Sequence, residues 1–520
     1  MDDEISFSIL LQKSIDLRFN FKIKKEFRIN YCSTEQPFWQ LPPEKMCDVI
    51  LMDLENLDPI FKPKTMAVIG VSTTNPLFPG TIIYNKNLHE YPVKVFAINA
   101  KGGSLEGNPI YKTIAEVPAK LDLAVLVIKA KYVPEELKKC GEAGVKSCIV
   151  VSGGFAEVGQ SGQQLEEELL QISKEYDLPF MGPNCIGIHT DFVDTFILPS
   201  ERLATPPSGN VAVVSQSGGV LIDQILSKFY ERQIGVAAAA SIGNKAIINE
   251  ITLLKYFNKN PQVSTIVFYN EGFKHNSGQE FVQLAGSIKK DIILLKGGKS
   301  KFGAKAAQSH TAAMATNFSL ISSSFRQAGI IEAITEVELV TYTKAISFGL
   351  KGIEKGDVVV LSISGGHAVL AADLCAYYKL NLIQLTDDQK NMLRAKVNPS
   401  AVDIASFENP IDLTGSVMDE DIENCLEALL SFESIEGVIV LLVPYVPTIS
   451  MQIGRRLSNI VRNSKAKKPV IAYLPWLEIY GIIIKGLELA KSIPVAHTVE
   501  EAVQMMHSLH LKGLKNKRKY

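Results

Sequence analysis

A short, continuous apolar run that ends in a glycine-bearing turn recurs along this 520-residue chain, and it limits the fold more than any other feature. Thr65-Met66-Ala67-Val68-Ile69 runs into Gly70, and Cys148-Ile149-Val150-Val151 runs into Ser152-Gly153-Gly154. Asn210-Val211-Ala212-Val213-Val214 runs into Ser215-Gln216-Ser217-Gly218-Gly219, and Val358 to Ile363 runs into Ser364-Gly365-Gly366. A strand with one wet face alternates apolar and polar residues. A run without alternation is covered on both faces, as in a parallel sheet between two layers of helices. The expected class is therefore α/β. Such sheets bind ligands beyond the carboxyl ends of their strands, where helix N-termini offer amide N–H groups to anions.

The length predicts about three domains at ~150 residues each. We expect them over residues 52–200, 201–350 and 351–520. Residues 1–51 stand apart, with Phe/Lys/Ile-rich patches, Trp39 and no βα rhythm, and they receive no role; Met46 and Met52 are alternative starts. A formal net charge of −1 excludes the basic surface that nucleic acid requires and the acidic block of a solvated tail. The seven cysteines, Cys32, Cys47, Cys140, Cys148, Cys185, Cys375 and Cys425, are scattered without a CxxC. That spacing fits a reducing compartment and argues against a disulfide framework or a zinc site. No apolar run reaches the ~18 residues of a membrane span, and the acidic start is no signal peptide. A cytoplasmic protein with no metal site and a frayed basic tail, Lys512 to Tyr520, is expected.

In the first domain the loop after Ile69 holds Gly70 and Gly80 but no GxGxxG. The next strand, Val93 to Asn99, ends in Asn99 and Lys101, where an NAD site carries an acidic residue for the ribose hydroxyls. A lysine there suits a phosphorylated ribose and points away from NAD.

In the second domain Ser215, Gln216, Ser217 and Gly218 open a helix. They read equally as an anion pocket or as ordinary capping by Ser217. Strand Thr265 to Tyr269 leads to Asn270-Glu271-Gly272. Strand Ile292 to Leu295 feeds Lys296-Gly297-Gly298-Lys299-Ser300 and then Gln308-Ser309-His310-Thr311-Ala312-Ala313. Small residues let a bulky anion approach, lysines attract it, and a neutral imidazole can attack phosphorus. The competing reading is a solvated loop that holds a histidine. Parallel topology puts Ser215, Ser217, Glu271 and His310 at one sheet edge, where Glu271 could accept a hydrogen bond from the imidazole and fix its tautomer. The third domain repeats the strand–SxSGG–helix opening. His367 is read there as part of a turn against a neighbouring domain.

Taken in order, several stretches resemble the NDP-forming acyl-CoA synthetases, in particular the α chain of the ADP-forming acetate–CoA ligase type, and more distantly succinyl-CoA synthetase. They are Ala67 to Ser72, Asn99 with Lys101-Gly102-Gly103, Val151 to Glu157 and Gly182-Pro183-Asn184-Cys185-Ile186-Gly187. Ser215 to Gly218, Ser241-Ile242-Gly243-Asn244-Lys245, Tyr269 to Gly272 and Ala307 to Thr311 complete the set. The resemblance implies a Rossmann-like CoA-binding domain followed by two flavodoxin-like, succinyl-CoA synthetase-like domains. It implies interconversion of acyl-CoA, phosphate and ADP with free acid, CoA and ATP, by way of acyl phosphate and a phosphohistidine. By this resemblance His310 is phosphorylated, Glu271 is its hydrogen-bonding partner, and Ser215, Gln216, Ser217 and Gly218 bind phosphate. Gly70, Ser72, Asn99 and Lys101 contact CoA. Three positions depart from the family pattern. Ala312 replaces a glycine after Ser-His-Thr, Thr316 stands where a later glycine is common, and Lys129 replaces a proline after the third strand. No ATP-grasp region or Walker-type loop is found, so the resemblance implies a separate ATP-grasp β subunit that brings Mg-ADP or Mg-ATP, in a heterotetramer. The alternative is a non-catalytic CoA or acyl-CoA sensor, favoured by Ala312 and opposed by Glu271 and His310 together.

Overall fold

The computed structural model describes residues 54, 56–274, 277–311 and 318–517, with the backbone alone for 307–311, 516 and 517. Residues 1–51, Ala312 and Thr316 lie outside the described residues. Three sheets follow one another along the chain. The first runs, in spatial order, Gly103–Leu105, Asn108–Tyr111, Lys94–Ile98, Thr65–Ile69, Leu123–Leu126, Ser147–Val150, Phe180–Met181. All pairs are parallel except the small hairpin of the first two. Val68 sits between Ala97 and Val125. The chain thus adds strands on one side of Thr65–Ile69 and then on the other, which opens a crevice above Ile69.

The second sheet runs Ile331–Ala333, Asp291–Lys296, Thr265–Asn270, Ser208–Ser215, Val236–Ser241, Ile188–Thr190. Here Ser208–Ser215 is the strand at which the order reverses, so Ser215 opens a second crevice. The expected break near residue 200 is crossed. Strand Ile188–Thr190 pairs antiparallel with Val236–Ser241, with Ala239 opposite His189. The chain therefore passes from the first sheet into the second through residues 182–187 alone. The third sheet, parallel throughout, runs Asn381–Leu382, Asp357–Ser362, Gly437–Leu441, Val470–Tyr473, Val495–Ala496, with Ile411–Asp412 beside the end of Asp357–Ser362.

The second and third sheets share one core. Val213, Phe229 and Ile293 meet Leu339 and Ile346, and these meet Met506, Leu509, Val360 and Ile439. Each such side chain, fully buried, contributes about 1.5–3 kcal/mol. Leu339 and Ile346 ride on helix Glu336–Ser347, which begins where the Thr335 hydroxyl accepts the Glu338 amide at 3.1 Å. Met506 and Leu509 ride on helix Val499–Lys517.

That helix corrects the expectation of a frayed tail, since its backbone is helical through Lys517. Lys512 pairs with Asp291 at 2.9 Å, and Lys515 donates to the Lys290 carbonyl at 2.8 Å. Gly513 lies directly on the chain at Ile353, where a Cβ would stand 1.9 Å from the Ile353 carbonyl oxygen. Among the described residues no helix is long and apolar enough to cross a membrane. Gly513→Val forces this backbone contact apart. It is expected to cost about 1–3 kcal/mol and to lower the urea midpoint, whereas Gly107→Ala, with nothing within 4 Å of its Cβ position, is expected to have a smaller effect that comes from its positive φ alone.

Candidate functional site

The Ser215 crevice is a cavity of about 330 Å³ lined by Gln216, Ser217, Gly218, Gly219, Glu271 and Gly243, with Asn184, Ile186 and Asn244 across from them. Ser215 is fully buried, and its hydroxyl donates to the Ser217 carbonyl at 2.6 Å. It shapes the turn and does not face the cavity. Ser217 Oγ accepts the Val220 amide at 3.4 Å, so it caps the helix, while the first-turn amides beside it remain available to a ligand. The helix that follows, residues 218–231, is wound as a π-helix over Val220–Leu226, a form frequent at functional sites. Gly218 must lack a side chain, because a Cβ would stand 2.5 Å from Ile186 Cγ2.

Gln216 ties three strand ends together. Its own amide donates to Tyr269 O at 3.0 Å, while its side-chain Oε1 accepts the Glu271 amide at 2.9 Å and Lys245 Nζ at 3.4 Å. Lys245 is buried, pairs with Glu250 at 3.2 Å and donates to the Gly272 carbonyl. Lys296 donates to the carbonyls of Glu271, at 2.6 Å, and Gly297. Burial, reinforced by repulsion from Lys245, pulls the Lys296 ammonium down to about 8, against the opposing pull of Glu271. Burial also lowers Lys245 despite Glu250, and it lowers Lys274 and Lys299. Burial and then the Glu271 carboxylate raise the Tyr269 phenol to about 12. Lys245 and Lys296, buried at the strand ends beside Gln216 and Glu271, hold ammonium groups short of their usual solvation behind the cavity wall, which favours an anion there.

The opposite wall belongs to the first module. The loop of residues 182–187 lies on the loop of residues 241–246. The Asn244 amide donates to Pro183 O and the Ala246 amide to Gly182 O, both at 3.0 Å. Gly243, at φ +52°, would place a Cβ 2.3 Å from the carbonyl oxygens of Pro183 and Asn184. The Asn244 side-chain amide donates to Glu157 at 2.6 Å and to Glu166 at 2.9 Å, while its carbonyl accepts Asn184 Nδ2 at 3.3 Å. Glu157 in turn accepts the Gly154 amide at 2.6 Å. Burial raises the Glu157 carboxyl, but the bonds from Asn244 and Gly154 outweigh it and leave the group below its ordinary range.

Gly70, Ser72, Asn99 and Lys101 gather at the crevice of the first sheet. Gly70 (φ +110°) would place a Cβ 2.3 Å from Val127 O. Ser72 Oγ accepts the amides of Thr74 and Asn75, and the Asn99 side chain spans Val71 O at 2.7 Å and the Lys101 amide at 2.9 Å. Asn99 and Ser72 therefore build the loops, and Lys101 stands exposed at their rim. Lys129 is exposed at the start of the turn Ala130–Tyr132, close by. His310 lies on helix Lys301–Thr311, whose backbone runs beside Ala156–Val158. His367, expected against a neighbouring domain, instead meets Ser364 Oγ at 2.9 Å and the Tyr473 ring within the third module. The sequence reading took Lys296 as one of the lysines that attract an anion, but it gave no role of their own to Glu157, Glu166, Asn244 or Lys245. Asn244 and Lys245 could have been found as a polar pair after a glycine turn. Glu166 sits mid-helix, and no local signal marks it.

A family model described as the CoA binding domain matches residues 64–191, and one described as the succinyl-CoA ligase-like flavodoxin domain matches residues 208–346. The chain is 32% identical over 484 residues to the α subunit of acetate–CoA ligase [ADP-forming] I of Pyrococcus furiosus, covering 88% of this chain and 97% of that one. It is 33% identical over 391 residues to acetate–CoA ligase [ADP-forming] I of Archaeoglobus fulgidus, covering 75% of this chain but spanning 55% of that relative's length. Among solved structures, the dinucleotide-forming acetyl-coenzyme A synthetase 1 of Ca. Korarchaeum cryptofilum, in complex with phosphate and ADP, superposes with a TM-score of 0.80 at 28% identity. That match covers 89% of this chain and 98% of that one.

An ammonium lowered from 10.5 to about 8 holds its proton less tightly in the folded chain than in the unfolded one. Above pH 8 the unfolded state binds more protons, so this group's contribution to stability rises with pH up to its unfolded pKa. Urea titrations of wild type and Lys296→Met should show the difference moving in favour of wild type between pH 8 and 10; a constant difference would contradict the assignment.

Proposed function

The chain belongs to the family of ADP-forming acyl-CoA ligases, and from that membership we propose that it is the α subunit of such a ligase. It interconverts acyl-CoA, phosphate and ADP with carboxylic acid, CoA and ATP. The observation that supports this reading is a cavity at the seam between two sheets that is lined by a helix start and by the loop leaving the first sheet, with the buried Lys245 bonded to Gln216 behind its wall.

The acyl group crosses that seam. A phosphate oxygen attacks the thioester carbonyl, the C–S bond breaks, and CoA leaves as the thiol with the proton released by phosphate. The imidazole of His310 then attacks phosphorus and the P–O bond to the acyl group breaks, releasing the carboxylate. The β-phosphate of ADP finally takes the phosphoryl group from the imidazole. Such transfers need position and charge more than acid–base chemistry. In this reading the amides and side chains at Gln216, Ser217 and Gly218 hold phosphate, and Ser215 acts through the turn it shapes. The desolvated Lys245 and Lys296 supply charge. Glu271 orients the imidazole and stabilises positive charge on it. Gly70, Ser72 and Asn99 form the CoA loop, and Lys101 meets a CoA phosphate or ribose. An ATP-grasp β subunit brings Mg-ADP, and two α and two β chains assemble. Cys140, Cys148, Cys185, Cys375 and Cys425, buried and unpaired, suit the cytoplasm.

The test is labelling of the chain isolated with its nucleotide-binding partner, using acetyl-CoA with labelled phosphate, or labelled ATP with magnesium. A base-stable, acid-labile label is expected on wild type and should fall to background in His310→Ala. Wild type that binds CoA yet takes no label from either donor would replace this reading with the sensor.

A further inference from the structure

The two half-reactions make different demands on the molecule. Moving phosphate between ATP and the histidine uses no reactant held by the first module, although the backbone of the His310 helix runs beside Ala156–Val158. Moving the acyl group from CoA to phosphate requires the first and second modules to be held in one register, because each contributes one reactant. At the seam one second-module side chain makes three hydrogen bonds to the first module, beside the Ile186 amide that donates to Ser241 Oγ. Asn244 donates both amide hydrogens to carboxylates of the first module, Glu157 at 2.6 Å and Glu166 at 2.9 Å, and takes Asn184 Nδ2 on its oxygen at 3.3 Å. Glu157 passes the constraint to the Ser152–Glu157 loop through Gly154, and Glu166 does so through helix Gln160–Tyr176 and the Ala156 amide at 3.4 Å. On its own side Asn244 follows Gly243, whose backbone rests on Pro183 and Asn184, and both Asn184 and Asn244 line the cavity.

We infer that Asn244 is a positioning residue that sets the register between the CoA half-site and the phosphate half-site. It is needed for acyl transfer and dispensable for phosphoryl exchange with ATP. The inference rests on the ligase reading above. Two carboxylates share one neutral donor, so the tie is specific to an amide. An aspartate at 244 meets two like charges, and an alanine leaves Glu157 and Glu166 facing each other with no donor between them. Lys274, which Glu166 attracts, also faces this cluster, whereas the Lys245 ammonium on the adjoining residue turns away to Glu250, Gln216 and the Gly272 carbonyl.

The test follows the two half-reactions separately in the complex with the β partner. For Asn244→Ala, labelling from acetyl-CoA and labelled phosphate should slow by about 100-fold, the scale of a small misplacement of reactants. Labelling from labelled ATP should stay within about twofold of wild type. Asn244→Asp should be worse than alanine in the first assay. Combining it with Glu157→Gln reverses donor and acceptor, because the new amide can still accept the Gly154 N–H while donating to the new carboxylate, and should recover part of the rate. Equal loss in both assays would mean a structural role and overturn the inference, as would no loss in either. If wild type takes no label from either donor, the phosphohistidine reading falls as well, so the two failures are distinguishable.

Discussion

The structure depends on a contact in which two loops meet backbone to backbone. Residues 182–187, all that joins the first sheet to the second, lie on residues 241–246 with no side chain between Gly243 and the carbonyls of Pro183 and Asn184. Two parallel sheets each present their ligand-binding edge at the carboxyl ends of their strands. A short connection could leave those edges facing apart. Because the connection is itself hydrogen-bonded into the second sheet's loop, the edges share a seam, and the cavity is what the seam encloses. Gly218 extends the same logic, since the helix start can approach Ile186 only without a side chain.

The chemistry of the cavity follows from what is buried around it. Lysines are rarely buried because desolvation penalises the charge. Lys296 is buried at a strand end and held by the backbone carbonyls of Glu271 and Gly297, while the buried Lys245 is held by Glu250, Gln216 and the Gly272 carbonyl. Burying the Lys296 ammonium on carbonyls gives up stability to hold charge at the strand ends, which an anion bound nearby would offset. Sites that trade stability for electrostatic preorganisation are the ones that accelerate phosphoryl and acyl transfer most directly.

Much of this was legible because it is periodic or backbone-driven. Unbroken apolar runs such as Val211 to Val214 predict parallel strands, and the small polar residues from Ser215 to Gly219 mark the strand end at which the cavity lies. What was not legible depends on distance in three dimensions. Glu166 looks like any helix carboxylate until Asn244, remote in sequence, is seen to donate to it. Strand Ile188–Thr190 carries too few residues to declare its sheet, and pairing with Val236–Ser241 decides it. The basic stretch after Lys512 reads as a solvated end. Its helix persists because Gly513 fits against Ile353 and two lysines find partners near Asp291. His367 was misplaced for the converse reason: its local partner Ser364, three residues away, satisfies it without any neighbouring domain.

Helix Val499–Lys517 supplies Met506 and Leu509 to the core of the second sheet, whose own strands are complete at Ala333. During synthesis, then, the first module can close once Met181 has emerged, but the second must wait with an apolar face uncovered until the third has been translated past it. At translation rates of about 5–20 residues per second, that interval is roughly ten to thirty seconds. The second and third modules are thus separate sheets but one unit of biogenesis, and the nascent chain is most exposed to aggregation and to chaperones in the window between Ser347 and Lys517.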